Sequence, residues 1–332
     1  MIYQQVIKHL NQHNLFNTYQ SGFRTGHSTC SALLKVSGDI QAAMDHTMVS
    51  ILVLFDFSKA FDLVSHKILL TKLNTLGFSV DAVGWFESYL SGRSQCVLGP
   101  DNSRSEWRPV LSGGPQGSVL GPLLFSLFIN DISCCFNSCN FHLYADDLQV
   151  YLSCRIPNIA QTVSTINEDV RQLVLWAKRH CLIINPHKTK MMLIASTGVR
   201  RFISFPIPAV EVDGNSVEIV DSAKNLGVMF DRIEPRRKIL TLCLLFKVLT
   251  SQTPPYLYDL YQFRPTISSR ETRSHDLLLH KPPHNTVSFA KSFFISSIDL
   301  WNNVPLPILS SRSFLSFKLS LSEAVSNGLF AN

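Results

Sequence analysis

The stretch HLYADDLQVY, residues 142–151, places two adjacent acids between two apolar segments. On each side, apolar and polar residues alternate, which predicts two short strands joined by a turn. Because Asp is a common turn residue, a solvated turn is one explanation for Asp146 and Asp147. A second acidic position earlier in the chain favours a functional explanation.

That acid, Asp56, directly follows the apolar run MVSILVLF, residues 48–55. The run is too apolar to alternate, so it predicts a central strand that is buried on both faces. If this strand lies beside the strands of the acidic pair, Asp56, Asp146 and Asp147 meet at one edge of a sheet. Three neighbouring carboxylates repel one another unless cations neutralise them.

Mg²⁺ is the cation that this pattern predicts, because it binds hard oxygen ligands and commonly takes one or two carboxylates together with substrate phosphates. Two such ions, about 3.5–4 Å apart, activate a 3′-hydroxyl and stabilise the leaving oxygen of a phosphoryl transfer. The acids therefore suggest nucleotidyl transfer. Aspartyl-phosphate phosphatases are a competing enzyme class, but they use a second Asp two residues after the first, where this chain has Ser58.

The remaining patterning predicts a mixed α+β fold. Helical spacing predicts helices over 28–46, 66–76, 81–90 and 157–180, and an almost wholly apolar helix over 119–132. The segment SKAFDLV, residues 58–64, predicts the turn into one more helix, with Ser58 as its cap. Residues 95–111 predict a hairpin, and KMMLIAS, residues 190–196, predicts a strand.

Composition limits the location and the cofactors of the chain. Its 332 residues, of which 45% are hydrophobic, are enough for two or three domains. No apolar run is long enough to predict a membrane-spanning segment, so we expect no membrane partner. The N-terminus has no signal-peptide pattern, and eight irregularly spaced cysteines predict reduced thiols in an intracellular protein of the nucleus or cytoplasm. Cys135, Cys139 and His142 form a weak zinc pattern without a second ligand pair.

The charge distribution divides the chain near residue 231. Residues 1–231 contain 18 Lys and Arg and 18 Asp and Glu, whereas residues 232–332 contain 12 and 6 and so carry all of the +6 net charge. A weakly basic tail is compatible with a polyanionic partner. Within the tail, KILTLCLLFKVL (238–249) predicts a helix against the core, and the Ser- and Pro-rich remainder is expected to be loosely ordered.

Five motifs in a fixed order make a family resemblance specific. They are QSGFRTGHST (20–29), VLFDFSKAFD (53–62), GGPQGSVLGPLLF (113–125), YADD (144–147) and NPHKTKMMLI (185–194). With this order and spacing, residues 1–231 resemble the reverse transcriptase of non-LTR (LINE-type, jockey-like) retrotransposons. SFFISSIDLWNNVPLPI (292–308) resembles the far C-terminal region of the same elements less specifically.

The resemblance implies an α+β right-hand polymerase core. It implies partial fingers over residues 1–52 and a palm over 53–231, in which LGVMFD (226–231) forms the primer-grip hairpin. Residues 232–332 would be a basic remnant of the element's C-terminal region. The order of the family's segments skips at FDRIEPRR (230–237), so we expect an internal deletion or a wrongly joined gene there, with the helical thumb largely missing.

The resemblance also assigns charged site residues. Asp56, Asp146 and Asp147 match the family's metal-binding acids. Lys188 matches the lysine proposed to protonate pyrophosphate, with an exposed structural Lys as the equal alternative. Arg24 matches a basic fingers residue that faces the triphosphate, and a solvated loop Arg is the alternative.

Three further assignments concern the nucleotide. Phe61, five residues after Asp56, matches the aromatic steric gate that leaves no room for a 2′-hydroxyl; the alternative is a core Phe on the first turn of a helix. Gln116 and Gly117 match the loop beneath the nucleotide and template. The family more often has a branched apolar residue where this chain has Gly114.

The implied function is RNA-directed DNA polymerisation with two Mg²⁺ ions, for which Mn²⁺ could substitute. The implied partners are an RNA template, a DNA primer and deoxynucleoside triphosphates. A decayed or repurposed fragment that at most binds nucleic acid is the non-enzymatic alternative. The intact acids argue against it, whereas the missing thumb, the late start in the fingers and the lack of an upstream endonuclease-like segment argue for it.

Overall fold

The structure, a computed structural model, describes residues 1–229, 238–264, 277–283 and 292–326. The helices in these ranges are α1 (Ile2–Gln12), α2 (Thr29–Asp45), α3 (His66–Thr75), α4 (Val80–Leu90), α5 (Gly121–Phe128), α6 (Ile159–Arg179), α7 (Thr197–Arg200), α8 (Lys238–Ser251), α9 (Pro255–Tyr258), α10 (Phe293–Asn302), α11 (Leu306–Leu309) and α12 (Phe314–Ser326). Short 3₁₀ helices span Asn130–Cys135 and Ile156–Asn158.

The strands form one central sheet and several short hairpins or ladders. They are β1 (Val49–Phe55), β2 (Phe57–Ser58), β3 (Ser94–Gln95), β4 (Arg108–Pro109), β5 (Asn140–Tyr144), β6 (Asp147–Cys154), β7 (Ile183–Ile184), β8 (Lys190–Ile194), β9 (Glu211–Val212), β10 (Asn215–Ser216), β11 (Glu218–Ile219), β12 (Lys224–Asn225) and β13 (Val228–Met229). The central sheet has the order β11-β8-β1-β6-β5, and only the β11–β8 pair is parallel. The predicted α+β class is therefore confirmed.

Helices cover both faces of the central sheet. On one face, Ile51, Val53 and Phe55 of β1 join a large core with apolar residues of α3, α5 and α6. On the other face, Leu52 packs with Tyr151, Met192 and the apolar side of α2. Burial on both faces explains why the β1 sequence is uniformly apolar rather than alternating.

Local sequence signals place most of the helix starts. The Ser28 hydroxyl accepts a hydrogen bond from the Ser31 backbone N–H, and a reciprocal bond completes a capping box at the start of α2.

The helix predicted after Ser58 is wrong. Ser58 instead belongs to β2, which pairs with β7, and residues 59–63 form turns. Tertiary pairing of the strand overrides the local helical pattern there.

One predicted helix also changes. The apolar segment 119–132 divides into α5 and the 3₁₀ helix Asn130–Cys135. Strand β1 spans Val49–Phe55, so the division expected between residues 52 and 53 lies within it, and the domain bounds stay a prediction. The expected seam at 230–237 lies outside the described residues.

A second hydrophobic core lies in the described residues 238–264, 277–283 and 292–326, which we call the C-terminal unit. The Phe246 and Phe317 rings stack at 4.2 Å between centroids, and Trp301 lies 6.0 Å from Phe317. The helix predicted over 238–249 is confirmed as α8. The expectation of a loosely ordered remainder is wrong for the described residues, because α9 to α12 contribute buried residues to this core.

The C-terminal unit is attached to the rest of the chain through α2 and the segment before it. Leu34 of α2 packs against its core. The Tyr256 hydroxyl lies 2.7 Å from Ser21 Oγ, and the Tyr256 ring lies 4.8 Å from the ring of His142 on β5.

Within the described residues, no helix combines the length and the apolar composition that a membrane crossing requires.

Candidate active site

The three predicted acids lie at the ends of neighbouring strands. Phe55 pairs with Leu148 in the antiparallel β1–β6 ladder, so Asp56 follows β1 opposite Asp147 at the start of β6. Asp146 occupies the turn between β5 and β6, one residue before. The structure therefore brings Asp56, Asp146 and Asp147 to one end of the central sheet.

The electrostatics of the acids reflect this crowding. Burial raises the pKa of Asp147 to about 6, with repulsion from Asp146 and then Asp56 adding to the effect. Burial also raises the pKa of Asp146, and Asp56 contributes in the same direction. A bound cation would remove this repulsion and lower both pKa values.

The donor set fits a hard divalent cation. Asp56 Oδ2 is buried and has no hydrogen-bond partner among the described residues, and the Lys188 ammonium lies 3.9 Å away, beyond hydrogen-bond distance. In the described ranges, no group of three or more His, Cys, Asp or Glu side chains lies close enough together to hold a metal ion by itself. Mg²⁺ does not need one, since it commonly combines one or two carboxylates with water and phosphate oxygens.

A cavity of about 560 Å³ opens beside Asp146. Phe61, Gln116 and Gly117, three residues predicted to contact the nucleotide, line it together with Lys59 and Asp62. This volume lies in the usual range for small-molecule sites. The structure thus brings three predicted substrate residues and one predicted metal ligand to the same cavity.

Phe61 has both a packed face and a face on the cavity. Its ring stacks on Phe125 with centroids 4.1 Å apart and planes 25° apart, and Phe23 meets it edge-on at 6.1 Å. It lies in the turns after β2 rather than on the predicted helix. The contact with Phe125 fixes the plane of the ring at the cavity wall.

The glycine-rich loop that lines the cavity is bound to the segment after β2. The Gln116 side-chain amide donates to Asp62 Oδ1 at 3.2 Å, and the Gly113 N–H donates to the Val64 carbonyl at 2.8 Å. Gly113 has φ +80°, and a Cβ there would lie 3.0 Å from backbone atoms of Asp62. This close approach explains why the position is glycine.

A second groove, of about 330 Å³, adjoins two of the acids. Asp56 and Asp147 line it together with Lys188, Lys190 and Lys224. Lys190 is paired with Glu218 of β11. Asp146 therefore lines one largely apolar cavity, whereas Asp56 and Asp147 line a separate, lysine-lined groove.

The loop that carries Lys188 is bound to the backbone of Asp56. The Asn185 N–H donates to the Asp56 carbonyl at 2.8 Å, and the buried Thr189 hydroxyl donates to the Asn185 carbonyl at 2.8 Å. The Asn185 side chain accepts from the His187 N–H at 3.1 Å. Sequence reasoning assigned no role to Asn185, although Asn-Pro is a known turn signal.

A hairpin forms at the segment predicted as the primer grip, but it spans residues 224–229 rather than 226–231, and it lies next to the strands that carry the acids. Strands β12 and β13 are joined by Leu226 and Gly227, both with positive φ, which is the pattern of a tight two-residue hairpin. The Asn225 side-chain amide donates to Gln149 Oε1 of β6 at 2.9 Å in the protein interior. Residues 230 and 231 of the predicted segment lie outside the described residues.

Arg24 binds its own loop. Its guanidinium donates to the carbonyls of Asn17 at 2.8 Å and Gln20 at 3.0 Å, and it lies over the Phe16 ring at 4.7 Å. Neither the 560 Å³ cavity nor the lysine-lined groove includes Arg24 among its lining residues. These contacts show a role in holding the loop, and a contact with triphosphate stays a prediction.

The weak zinc pattern does not form a site. Cys135 and Cys139 are free, buried thiols of the main core, and His142 Nε2 lies 2.9 Å from the Ser21 hydroxyl. The described residues contain no metal-binding group built from these side chains.

A mainly antiparallel sheet that carries acids at the adjoining ends of two neighbouring strands is the arrangement found in the palm of a right-hand polymerase. A family model described as "Reverse transcriptase (RNA-dependent DNA polymerase)" matches residues 1–230, and the chain belongs to that family. Members of the family generally use divalent metal ions.

Three Drosophila melanogaster proteins are similar to this chain. "Probable RNA-directed DNA polymerase from transposon BS" is 31% identical over 67% of this chain and 24% of its own length. "RNA-directed DNA polymerase from mobile element jockey" is 29% identical over 64% and 23%, and the corresponding X-element protein is 31% identical over 64% and 23%. The chain thus spans about a quarter of the length of these relatives.

Two solved telomerase structures are also similar. Apo telomerase from Candida tropicalis, truncated from its C-terminal domain, has a TM-score of 0.42 and 12% identity over 59% of this chain and 40% of that chain. Telomerase from Candida albicans in complex with a TWJ fragment of telomeric RNA has a TM-score of 0.42 and 12% identity over 72% and 40%.

Proposed function

We propose that this chain is an RNA-directed DNA polymerase of non-LTR retrotransposon origin. The observation that carries the proposal is the set of acids Asp56, Asp146 and Asp147, of which Asp146 lines a nucleotide-sized cavity and the other two line a lysine-lined groove. Family membership and the names of the relatives support the same activity. The proposed partners are an RNA template, a DNA primer and deoxynucleoside triphosphates.

The proposed cofactor is a pair of Mg²⁺ ions, for which Mn²⁺ can substitute. The acids would hold them, since Asp56 Oδ2 lacks a hydrogen-bond partner among the described residues and the pKa values of Asp146 and Asp147 are raised. When bound, the ions supply activation of the primer hydroxyl and neutralisation of the charge on the triphosphate. The chain itself supplies the fixed strand ends that position the carboxylates.

In this proposal, the incoming nucleotide occupies the cavity beside Asp146. Phe61 would lie under its sugar, because the ring is held at the cavity wall by Phe125. Gln116 and Gly117 would support the base pair from the glycine-rich loop. Arg24 would stabilise the neighbouring loop and contact the triphosphate only after leaving its present carbonyl partners.

The primer end would occupy the lysine-lined groove. Lys224 belongs to the hairpin that Asn225 fastens to Gln149, so a primer phosphate bound there would be held in register with the catalytic strand. Lys188, 3.9 Å from Asp56 Oδ2, would donate a proton to the departing pyrophosphate. The proposed location is inside the cell, in the nucleus or cytoplasm, where cysteine thiols such as those of this chain stay reduced.

The domain roles are also proposals. Residues 1–52 would form partial fingers, and residues 53–231 would form the palm, with the β12–β13 hairpin as its primer grip. The C-terminal unit would not act as a thumb, because its described residues contact α2, the segment before α2 and His142, and none of these described residues lines the lysine-lined groove.

The test is primer extension by the full chain on an RNA template with a DNA primer, deoxynucleotides and Mg²⁺. Product that requires the RNA template and disappears with a chelator supports the proposal. A well-folded chain that gives no product with Mg²⁺ or Mn²⁺ would contradict it and favour a decayed fragment.

A further inference from the structure

The turn that carries Asp146 has an unfavourable backbone conformation. Tyr144 pairs with Asp147 across the β5–β6 hairpin, and Ala145 and Asp146 form the two-residue loop. Ala145 has φ +56°, in the left-handed region that residues with a side chain rarely adopt. Hairpins with a positive φ at the first loop position usually have glycine there. The Ala145 conformation therefore needs support from outside the hairpin.

Gln20 supplies this support through its side-chain amide. Its Oε1 accepts from the Ala145 N–H at 3.0 Å, and its Nε2 donates to the Ala145 carbonyl at 3.2 Å. The same oxygen accepts from the Gly22 N–H at 2.7 Å. Gln20 is only 1% exposed, so water does not compete for these bonds. One buried amide thus satisfies both backbone groups of the strained residue.

The backbone around Gln20 follows the edge of the catalytic hairpin. The Leu143 N–H donates to the Tyr19 carbonyl at 2.9 Å, and the Ser21 N–H donates to the Leu143 carbonyl at 2.8 Å. At Gly22, a Cβ would lie 2.2 Å from Ala145 N and 2.7 Å from its Cα. Because both are backbone atoms, any side chain at position 22 would push the turn away.

We propose that Gln20 and Gly22 are positioning residues that fix the catalytic turn, and we call the pair the turn clamp. The clamp keeps Ala145 in its left-handed conformation, so that Asp146 and Asp147 remain beside Asp56. Neither Gln20 nor Gly22 lines the 560 Å³ cavity or the lysine-lined groove. This inference rests on the proposed polymerase function for its effect on rate, but not for its effect on the turn.

The test compares Gln20→Met with Gln41→Met in the full chain. Methionine keeps the length of the side chain and removes the amide, and Gln41 is a buried glutamine of α2 that makes the matched control. Hydrogen–deuterium exchange of the 142–151 segment, without metal, should be faster in Gln20→Met and unchanged in Gln41→Met. Single-turnover primer extension should slow by on the order of 10–100-fold in Gln20→Met, as expected for misplaced catalytic groups, and should not slow in Gln41→Met.

Two further readouts separate positioning from general destabilisation. Gln20→Met should need more Mg²⁺ for half-maximal rate while its primer–template dissociation constant stays unchanged. Adding Ala145→Gly should restore part of the rate, because glycine adopts positive φ without the clamp. Gly22→Ala should reproduce the fast exchange.

Unchanged exchange of the 142–151 segment in Gln20→Met would overturn the clamp, whatever the activity. A rate loss that follows thermal stability, without a change in Mg²⁺ dependence and without rescue by Ala145→Gly, would also overturn it. If the wild-type chain does not extend primers but Gln20→Met still exchanges faster, only the polymerase function fails and the clamp stands.

Discussion

Replacing Phe61 with Val tests whether this ring selects the sugar of the incoming nucleotide. The ring stacks on Phe125 at 4.1 Å and also lines the cavity beside Asp146. Valine would leave space under the sugar, where a 2′-hydroxyl could then be accommodated. Discrimination based on one small group in a pocket is worth about 1–3 kcal/mol, or roughly 10–200-fold. We therefore expect the preference for deoxynucleotides to fall by a factor in that range.

The same change has a cost in stability that must be measured separately. Truncation of a buried Phe to Ala costs about 3–5 kcal/mol, and an aromatic pair adds about 0.5–1.5 kcal/mol. Phe61 is only partly buried and Val keeps part of its volume, so we expect the free energy of unfolding to fall by about 1–3 kcal/mol.

The assay is the ratio of kcat/KM for a deoxynucleotide and the matching ribonucleotide, with urea unfolding of the same samples. Phe86→Val is the control, because Phe86 is 2% exposed in the same core but does not line the 560 Å³ cavity. It should lower stability and leave the ratio unchanged. An unchanged ratio in Phe61→Val, with lower stability, would show that Phe61 is only a core residue.

Three other predictions concern single side chains. Lys188→Ala should slow the chemical step by roughly 10²–10⁴-fold with unchanged primer–template affinity, and a loss confined to affinity would contradict its role as a proton donor. Tyr256→Phe removes the hydroxyl 2.7 Å from Ser21 Oγ and should lower the free energy of unfolding by about 1 kcal/mol, an effect that should largely disappear in a Ser21→Ala background. Burial, and to a smaller extent the positive charges of Lys35 and then His27, lower the pKa of His142 to about 3. Between pH 7 and pH 5, His142 therefore takes up a proton in the unfolded state but stays neutral in the folded state. Because of His142, the free energy of unfolding should fall by about 2 kcal/mol between pH 7 and pH 5, and His142→Gln should remove this contribution to the pH dependence.

Much of the sheet could be predicted because its signals are local. The β1 sequence is apolar enough to require burial on both faces, and Asp56 and Asp146 stand where strands end. Ser28 caps α2 as its sequence pattern indicates. For these elements, a few neighbouring residues determine the structure.

The turn clamp and the C-terminal unit could not be predicted in this way. The bonds from Gln20 to Ala145 join residues 125 positions apart, and no local pattern indicates which buried amide supports a turn. The core around Phe246, Trp301 and Phe317 is assembled from short helices separated by loops, so its periodicity is weak in sequence. The predicted helix after Ser58 failed for the same reason, since the partner strand β7 lies more than a hundred residues away.

The central claim is that Asp56, Asp146 and Asp147 act as one unit in nucleotidyl transfer. Single-turnover primer extension should be measured for Asp56→Asn, Asp147→Asn and the double variant, with Asp81→Asn, at the exposed start of α4, as the control. Because residues that act as a unit are strongly non-additive, each single variant should lose about as much rate as the double variant, and the control should lose none. The account would be contradicted if the rate losses of the two single variants multiply in the double variant. It would also be contradicted if a folded Asp147→Asn chain still extends the primer.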